Sequence, residues 1–450
     1  MAVTAALNDT LRASLRAAGA ATSAELQRAC GVSQASISRA LAPLLAAGEV
    51  LAVGRGPSRA YVMPRPVAGV GTTGSIPVIR VDEDGGVSEF ATLIPTAGGR
   101  CWIEEYVEPL TQLHDGLPWF LADMRPQGFL GRSFAHLHQD LRLADNPDHW
   151  SDDDTLKALC QVGDDLPGNL IVGAQAFERF NRAAPQPRVA PDAYVKLADA
   201  SMRGALPGSS AGGEQPKFCA VREDGQPVIV KFSPAGDSPF DRRWDDLLVC
   251  EHLALTVLNE GGIPAAPSRV FRDGGRTLLE VERFDRTPRG RIGMVSLMSF
   301  DNEYIGQIDN WAATAERIRL RGLLIEEDVA HLRFLEAFGV QIGNTDRHYG
   351  NISLVIGPNG SWRLAPAYDV LPMIYAPIAG EIVPRDFEPG RLAPSAETLR
   401  EWPRARALAA RYWERVAGEP MVSGDFRALA ERHAVSLRGD APTTARGAAA

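Results

Sequence analysis

Apolar residues recur at helical spacing from the start of the chain, at Leu7, Leu11 and Leu15, and predict a first helix. Thr22 or Ser23 is placed to cap a second helix that runs through Arg28 and stops at Gly31. Ser33 then caps a third over SQASISRALAPLLAAGEV. Ile37, Leu41, Leu44 and Leu45 lie on one side of it, and Gln34, Ser36, Ser38 and Arg39 offer polar groups near its start. The next stretch, VLAVGRGPSRAYVMP, alternates as two short strands around a Gly/Pro/Ser turn that bears Arg55 and Arg59. Farther on, SIPVIRVDEDGGVSEFATLI predicts two strands joined by a tight Asp/Gly turn, and RCWIEEY a third. The aromatic residues of PWFLADMRPQGFLGRSFAHLH are expected in a core.

Three helices and a hairpin in this order resemble a winged helix-turn-helix. Such a unit sets the amino end of one helix in a DNA major groove while arginines hold phosphates. Arg39, Arg55 and Arg59 are the phosphate candidates, and Gln34 and Ser36 the base-edge candidates. DNA is therefore an expected partner, and because winged helices often pair, so is a second copy of the chain. The Pro/Gly/Thr-rich PRPVAGVGTTGS reads as a linker. The expected units are 1–65, a linker over 66–75, a small β-rich region over 76–150, a mixed lobe over 151–285, a helical lobe over 286–440 and a tail over 441–450.

Composition changes this picture at one point only. At 450 residues, 45% hydrophobic and 23% charged, the chain is of ordinary globular composition and long enough for several cores. Five cysteines, widely spaced and forming no C-x-x-C pair, argue against disulfides and a zinc site. The net charge of −9 conceals an asymmetry. Seven arginines against Asp9, Glu25 and Glu49 give the first 65 residues +4, which leaves −13 on the remaining 385. The basic part is local. No run approaches the roughly 18 apolar residues of a membrane span, so a cytoplasmic protein without a membrane partner is expected.

The candidate chemistry lies in the second half. GSSAGGEQPKFCAV, from Gly208, puts Ser209, Ser210, Gly212 and Gly213 between strand-like stretches, where backbone amides can approach phosphate oxygens. No Walker A spacing is present. Lys231 ends the β-branched run Val228-Ile229-Val230, and a strand lysine of this kind reaches ATP phosphates. Twenty residues later Glu251, on the amphipathic helix LLVCEHLALTVLNEGG, is placed to pair with it. RTLLEVERFDR gives a strand ending at Glu282, Arg283 and Phe284, where a kinase chain crosses between lobes and its backbone binds adenine. A helix then leads into NTDRHYGNISLVI, in which Asp346 and Asn351 stand in the D-x-x-x-x-N relation of a kinase catalytic loop. Asp346 suits the base that receives the acceptor's hydroxyl proton, and Asn351 offers an amide oxygen to magnesium. Asp369 follows 18 residues later, at the end of another strand, as a second metal-binding carboxylate. His348 is expected to brace the loop.

SSAGGEQPK, VIVKFSP, CEHLALTVLNEGGIP, VERFDR, GNTDRHYGNIS and LAPAYDV together resemble the HipA family of serine/threonine kinase toxins. With a DNA-binding unit fused in front, the chain is similar to that family's YjjJ-like branch. The resemblance implies an α+β chain, a winged helix-turn-helix followed by a two-lobed kinase-like fold. It also implies ATP and magnesium as cofactors, a protein substrate, Lys231 on the phosphates, Asp346 as base, and Asn351 and Asp369 as metal ligands. Ser209 aligns with the serine whose autophosphorylation silences family members, with Ser210 beside it. The loop departs from the family pattern: AGGEQPK has one residue more than the usual form and places Pro216 before Lys217. Two other readings remain open at this level, a DNA-binding regulator whose kinase-like domain only senses nucleotide, and a magnesium-dependent toxin acting on DNA.

Overall fold

The computed structural model describes residues 2–54, 56, 59–71, 74–105, 112–203, 214–357 and 360–439. Arg55, Ser209, Ser210, Gly212 and Gly213 lie outside them. The fold is α+β. Its first unit contains α1 (Ala2–Ala18), β1 (Ala20–Thr22), α2 (Ser23–Cys30), α3 (Gln34–Ala46), β2 (Leu51–Val53) and β3 (Ala60–Val62). Thr22 closes a reciprocal cap with Glu25, Gly31 ends α2 in the left-handed conformation, and the Ser33 hydroxyl accepts from the Ser36 amide. Leu11, Leu15, Leu26, Ile37, Leu41 and Leu44 are buried together, each such burial being worth about 1.5–3 kcal/mol. β3 pairs antiparallel with both β1 and β2. The three-residue β1 had no signal of its own in Ala20-Ala21-Thr22; it exists because β3 offers it an edge.

The first unit is docked. Arg100 donates to the carbonyls of Ala18 at 2.8 Å and Ala17 at 2.7 Å, satisfying orphan groups at the end of α1. Val53, Ala60 and Val62 share an apolar cluster with Ile94 and Trp102. Within the stretch expected to be a linker, Val67 is buried, and Arg65 forms an ion pair with Asp153 at 2.5 Å.

The second unit is built on β4 (Ile76–Val81), β5 (Val87–Thr96), β6 (Arg100–Glu105), β7 (Gln112–Asp115) and β8 (Leu170–Val172), in the order β7-β6-β5-β4-β8. Its β8 comes from well beyond residue 150. Leu121, Met124 and Phe134, from the aromatic stretch, are core residues. α4 (Gly128–Leu137), α5 (Asp152–Val162) and α6 (Ala174–Arg182) accompany the sheet.

The third unit has β9 (Arg188–Val189), α7 (Tyr194–Met202), β10 (Lys217–Arg222), β11 (Pro227–Phe232), α8 (Pro239–Glu260), β12 (Ser268–Asp273) and β13 (Arg276–Glu282). The strand order is β12-β13-β11-β10-β9. The last unit is mainly helical. β14 (Met294–Ser296), α9 (Leu297–Tyr304), α10 (Trp311–Leu320), α11 (Glu326–Ile342), β15 (Ser353–Ile356), β16 (Trp362–Leu364), α12 (Trp402–Gly418) and α13 (Gly424–Arg438) follow in that order. α8 packs into the same core as α11 and α12, so it joins the third unit to the fourth.

Candidate active site

β11 lies between β10 and β13, and its alternation decides what the site receives. Val228, Val230 and Phe232 enter the core of one face, which turns Lys231 to the other. There its ammonium meets Glu251 of α8, with Nζ to Oε1 at 2.7 Å and to Oε2 at 2.9 Å. Asp369 is a second charged partner of the same Nζ. Lys231 is 6% exposed and Glu251 fully buried. A buried pair of this kind is a weak source of stability, because the Coulomb gain barely offsets desolvation. Lys217 stands opposite Lys231 across β10 and β11. Burial, with the Lys231 charge added, pushes its ammonium down to about 7.

The loop that follows α11 is fixed from several directions. Gly343 ends the helix at φ +74°, and a Cβ there would come within 2.7 Å of Ile374. The Asn344 side chain accepts from the Asp346 amide at 3.0 Å. Asn351 donates to the Asp346 carbonyl at 2.9 Å and to its carboxylate at 3.2 Å. His348 accepts from the Gly350 amide at 3.0 Å and approaches Asp346 at 3.7 Å. Arg347 bonds Glu336 at 3.0 Å and also the Asn344 carbonyl, while Glu336 accepts from the Trp311 amide at 3.2 Å. These ties hold the backbone and leave the Asp346 side chain 50% exposed, open to an incoming hydroxyl.

Tyr368 links this loop to Asp369. Its hydroxyl donates to the Gly350 carbonyl at 3.0 Å and bonds Ser353 at 2.7 Å, and its ring lies 5.5 Å from that of Phe284. Asp369 itself has φ +54°, a conformation that a non-glycine residue adopts at a cost. Beside the loop, Thr345, Ile374, Arg385 and Asp386 line a cavity of about 680 Å³. At the crossing strand, Glu282 and Arg283 spend their amides on the carbonyls of Pro267 and Pro227, and the Glu282 carboxylate pairs with Arg222 at 3.0 Å. In the first unit Gln34, Arg39 and Arg59 are exposed, and Ser36 bonds Ser33 and Arg39.

The site thus joins Lys231, Glu251 and Asp369 in one cluster and Asp346 and Asn351 in another. Tyr368, Asn344 and the Arg347–Glu336 pair were not legible as site residues. Their roles arise from contacts between elements distant in sequence, although Asn344 and Arg347 flank Asp346 within the motif. Among the described residues no group of three or more His, Cys, Asp or Glu is gathered for a metal. The Asn351 amide oxygen and the Asp369 carboxylate are hard oxygen donors, the kind magnesium takes.

The sequence compares directly with known proteins. Residues 72–181 match a model described as "YjjJ-like toxin, middle domain", and residues 209–422 one described as "HipA-like C-terminal domain". Toxin YjjJ of Escherichia coli (strain K12) is 33% identical over 431 residues, covering 93% of this chain and 95% of the relative. Among solved structures, the HipA, HipB and operator DNA complex of Shewanella oneidensis MR-1 contains a chain that aligns with TM-score 0.49 and 15% identity. That alignment covers 80% of this chain and 95% of the other. The Helicobacter pylori proinflammatory kinase CtkA aligns with TM-score 0.35 and 15% identity over 49% of this chain and 89% of its own. Near-complete coverage of the Escherichia coli relative, together with the two matched domain models, makes this chain a member of the YjjJ-like, HipA-related toxin family.

Proposed function

We propose that the chain is a serine/threonine protein kinase that transfers the γ-phosphate of ATP to a protein hydroxyl. The supporting observation is the buried Lys231–Glu251 pair reaching Asp369. A fold gains little stability from such a pair, whereas a nucleotide site needs a fixed cation for phosphates. Lys231, oriented by Glu251, holds the phosphate oxygens. The crossing segment through Glu282 and Phe284 receives the adenine, with the Phe284 end facing Tyr368. Asn351 and Asp369 would hold magnesium, which when bound would supply positive charge beside the phosphate oxygens. Asp346 orients the acceptor hydroxyl and takes its proton, and the adjacent cavity at Thr345 and Arg385 offers space for the acceptor's chain. Ser209 is the proposed autophosphorylation position.

The first unit is proposed to be a winged helix-turn-helix that binds DNA for autoregulation. Support comes from its +4 balance and from the exposure of Gln34, Arg39 and Arg59. Purified protein incubated with γ-labelled ATP and magnesium, beside an Asp346→Ala control, tests the kinase. Label on Ser209 or on an added protein in the unmutated sample alone supports it. Absence of label, together with Asp346-dependent plasmid nicking, would replace it with a DNA-acting enzyme.

A further inference from the structure

The second and third units border a half-open cavity of about 310 Å³ that the site above does not use. Arginine dominates it. Arg188, Arg283, Arg286, Arg289 and Arg291 line it against a single aspartate, Asp165. Two more carboxylates pair with these arginines from behind. Asp285 bonds Arg283 and Arg286 at 2.8 Å, and Asp84 pairs with Arg289. The cluster still carries an excess of two positive charges.

Arg291 shows where that excess is felt. It is 6% exposed. Its Nη2 donates to the Asp164 carbonyl at 2.6 Å and stands 4.0 Å from Asp165, and its guanidinium lies 4.9 Å from the Phe180 ring centre. Its Nη1 is buried without a hydrogen-bond partner. A buried charged donor left unbonded costs more than a neutral one. Burial, with repulsion from Arg286, accordingly pushes this guanidinium down to about 10. Arg286 is committed to Asp165 at 2.9 Å and to the Leu166 and Gly168 carbonyls, so it cannot relieve its neighbour. Arg188 is different: it is exposed at the rim, holding the Glu223 carbonyl at 3.2 Å.

We propose that this cavity binds a phosphate dianion, free or as the terminal group of a small monoester. Two uncompensated positive charges match a dianion, and guanidinium forks match phosphate oxygens in geometry as well as charge. The volume lies at the small end of the range for ligand sites, which suits a compact ligand. The cavity stands apart from the nucleotide site, since none of its side chains holds nucleotide there.

Calorimetric titration of the full-length protein with inorganic phosphate and with glycerol 2-phosphate, at low ionic strength, tests it. Expected is one site per chain in the wild type and in the double variant Lys231→Met/Glu251→Met, which removes the nucleotide cation without leaving a buried charge unpaired, with affinity lowered at least tenfold in Arg291→Gln and in Arg188→Gln. Arg188 is exposed, so its variant keeps the test valid if Arg291→Gln does not fold. Equal affinity for the two probes identifies phosphate itself as the ligand, and tighter monoester binding identifies an esterified one. Absence of binding by either probe, loss in Lys231→Met/Glu251→Met, or undiminished binding in Arg188→Gln would overturn the proposal.

Discussion

At the scale of single residues, the Lys231–Glu251 pair separates a functional role from a structural one. Glu251→Ala leaves a buried ammonium with Asp369 as its remaining charged partner, and breaking a buried pair costs about 3–5 kcal/mol. Replacing both by methionine removes two desolvated charges at similar volume, so the double variant should be at least as stable as the wild type in urea denaturation. It should nevertheless lose ATP-dependent phosphotransfer. A double variant destabilised as much as Glu251→Ala would make the pair structural. The order strand lysine, helix glutamate and D-x-x-x-x-N was readable in the sequence because each sits in its own local element. Tyr368 was not, since its bonds to Gly350 and Ser353 depend on how the hairpin of β15 and β16 returns to the loop. The stand-off of Lys217 and Lys231 was hidden for the same reason: it requires the register of β10 on β11, which no local pattern states.

At the scale of elements, caps and loop closures decide how firmly the site is held. Gly343 ends α11 where only a residue tolerant of positive φ fits, and its missing Cβ leaves room for Ile374. Gly343→Val should therefore destabilise the protein by about 2 kcal/mol or more, from left-handed strain plus steric displacement, read as a lower urea midpoint. His433 on α13 gives a pH signature. Burial among Tyr375, Trp413 and Phe387, with Arg432 adding repulsion, holds its imidazole down to about 4. Between pH 6.5 and 4 the unfolded chain binds the proton that the folded chain refuses, so stability falls as the pH is lowered through this window. His433→Gln should flatten that fall in urea melts taken from pH 7 to 4; an unchanged slope would mean that other groups carry it. The caps at Thr22, Gly31 and Ser33 were readable from residue type alone, because a cap is a local bond. β1 was not, because it depends on a partner strand.

At the scale of the whole molecule, the first unit is held to the second by Arg100 at the end of α1 and by the cluster around Trp102. A docked unit presents Gln34, Arg39 and Arg59 in a fixed orientation, and DNA binding through it should be strongly salt-dependent. Arg39→Ala and Arg59→Ala are each expected to reduce the slope of log K against log salt by about 1, measured by fluorescence anisotropy on a duplex. Slopes unchanged in both variants would remove these arginines from a DNA interface. The division into a basic front and an acidic remainder was visible in the charge balance, whereas the docking was not. Arg100 reaches across 82 positions to Ala18, and the stretch that composition marked as linker buries Val67.

In the proposed reaction Asp346 acts in the transfer step within a nucleotide site that Lys231 anchors. This role is tested most directly by measuring ATP binding and phosphotransfer side by side in Asp346→Asn. The substitution is isosteric and retains an oxygen that can accept from the Asn351 amide. ATP affinity should stay within about twofold of the wild type, while transfer falls by about 100-fold or more, as expected when a positioned base is lost. Transfer at the wild-type rate in Asp346→Asn would rule out this role for Asp346.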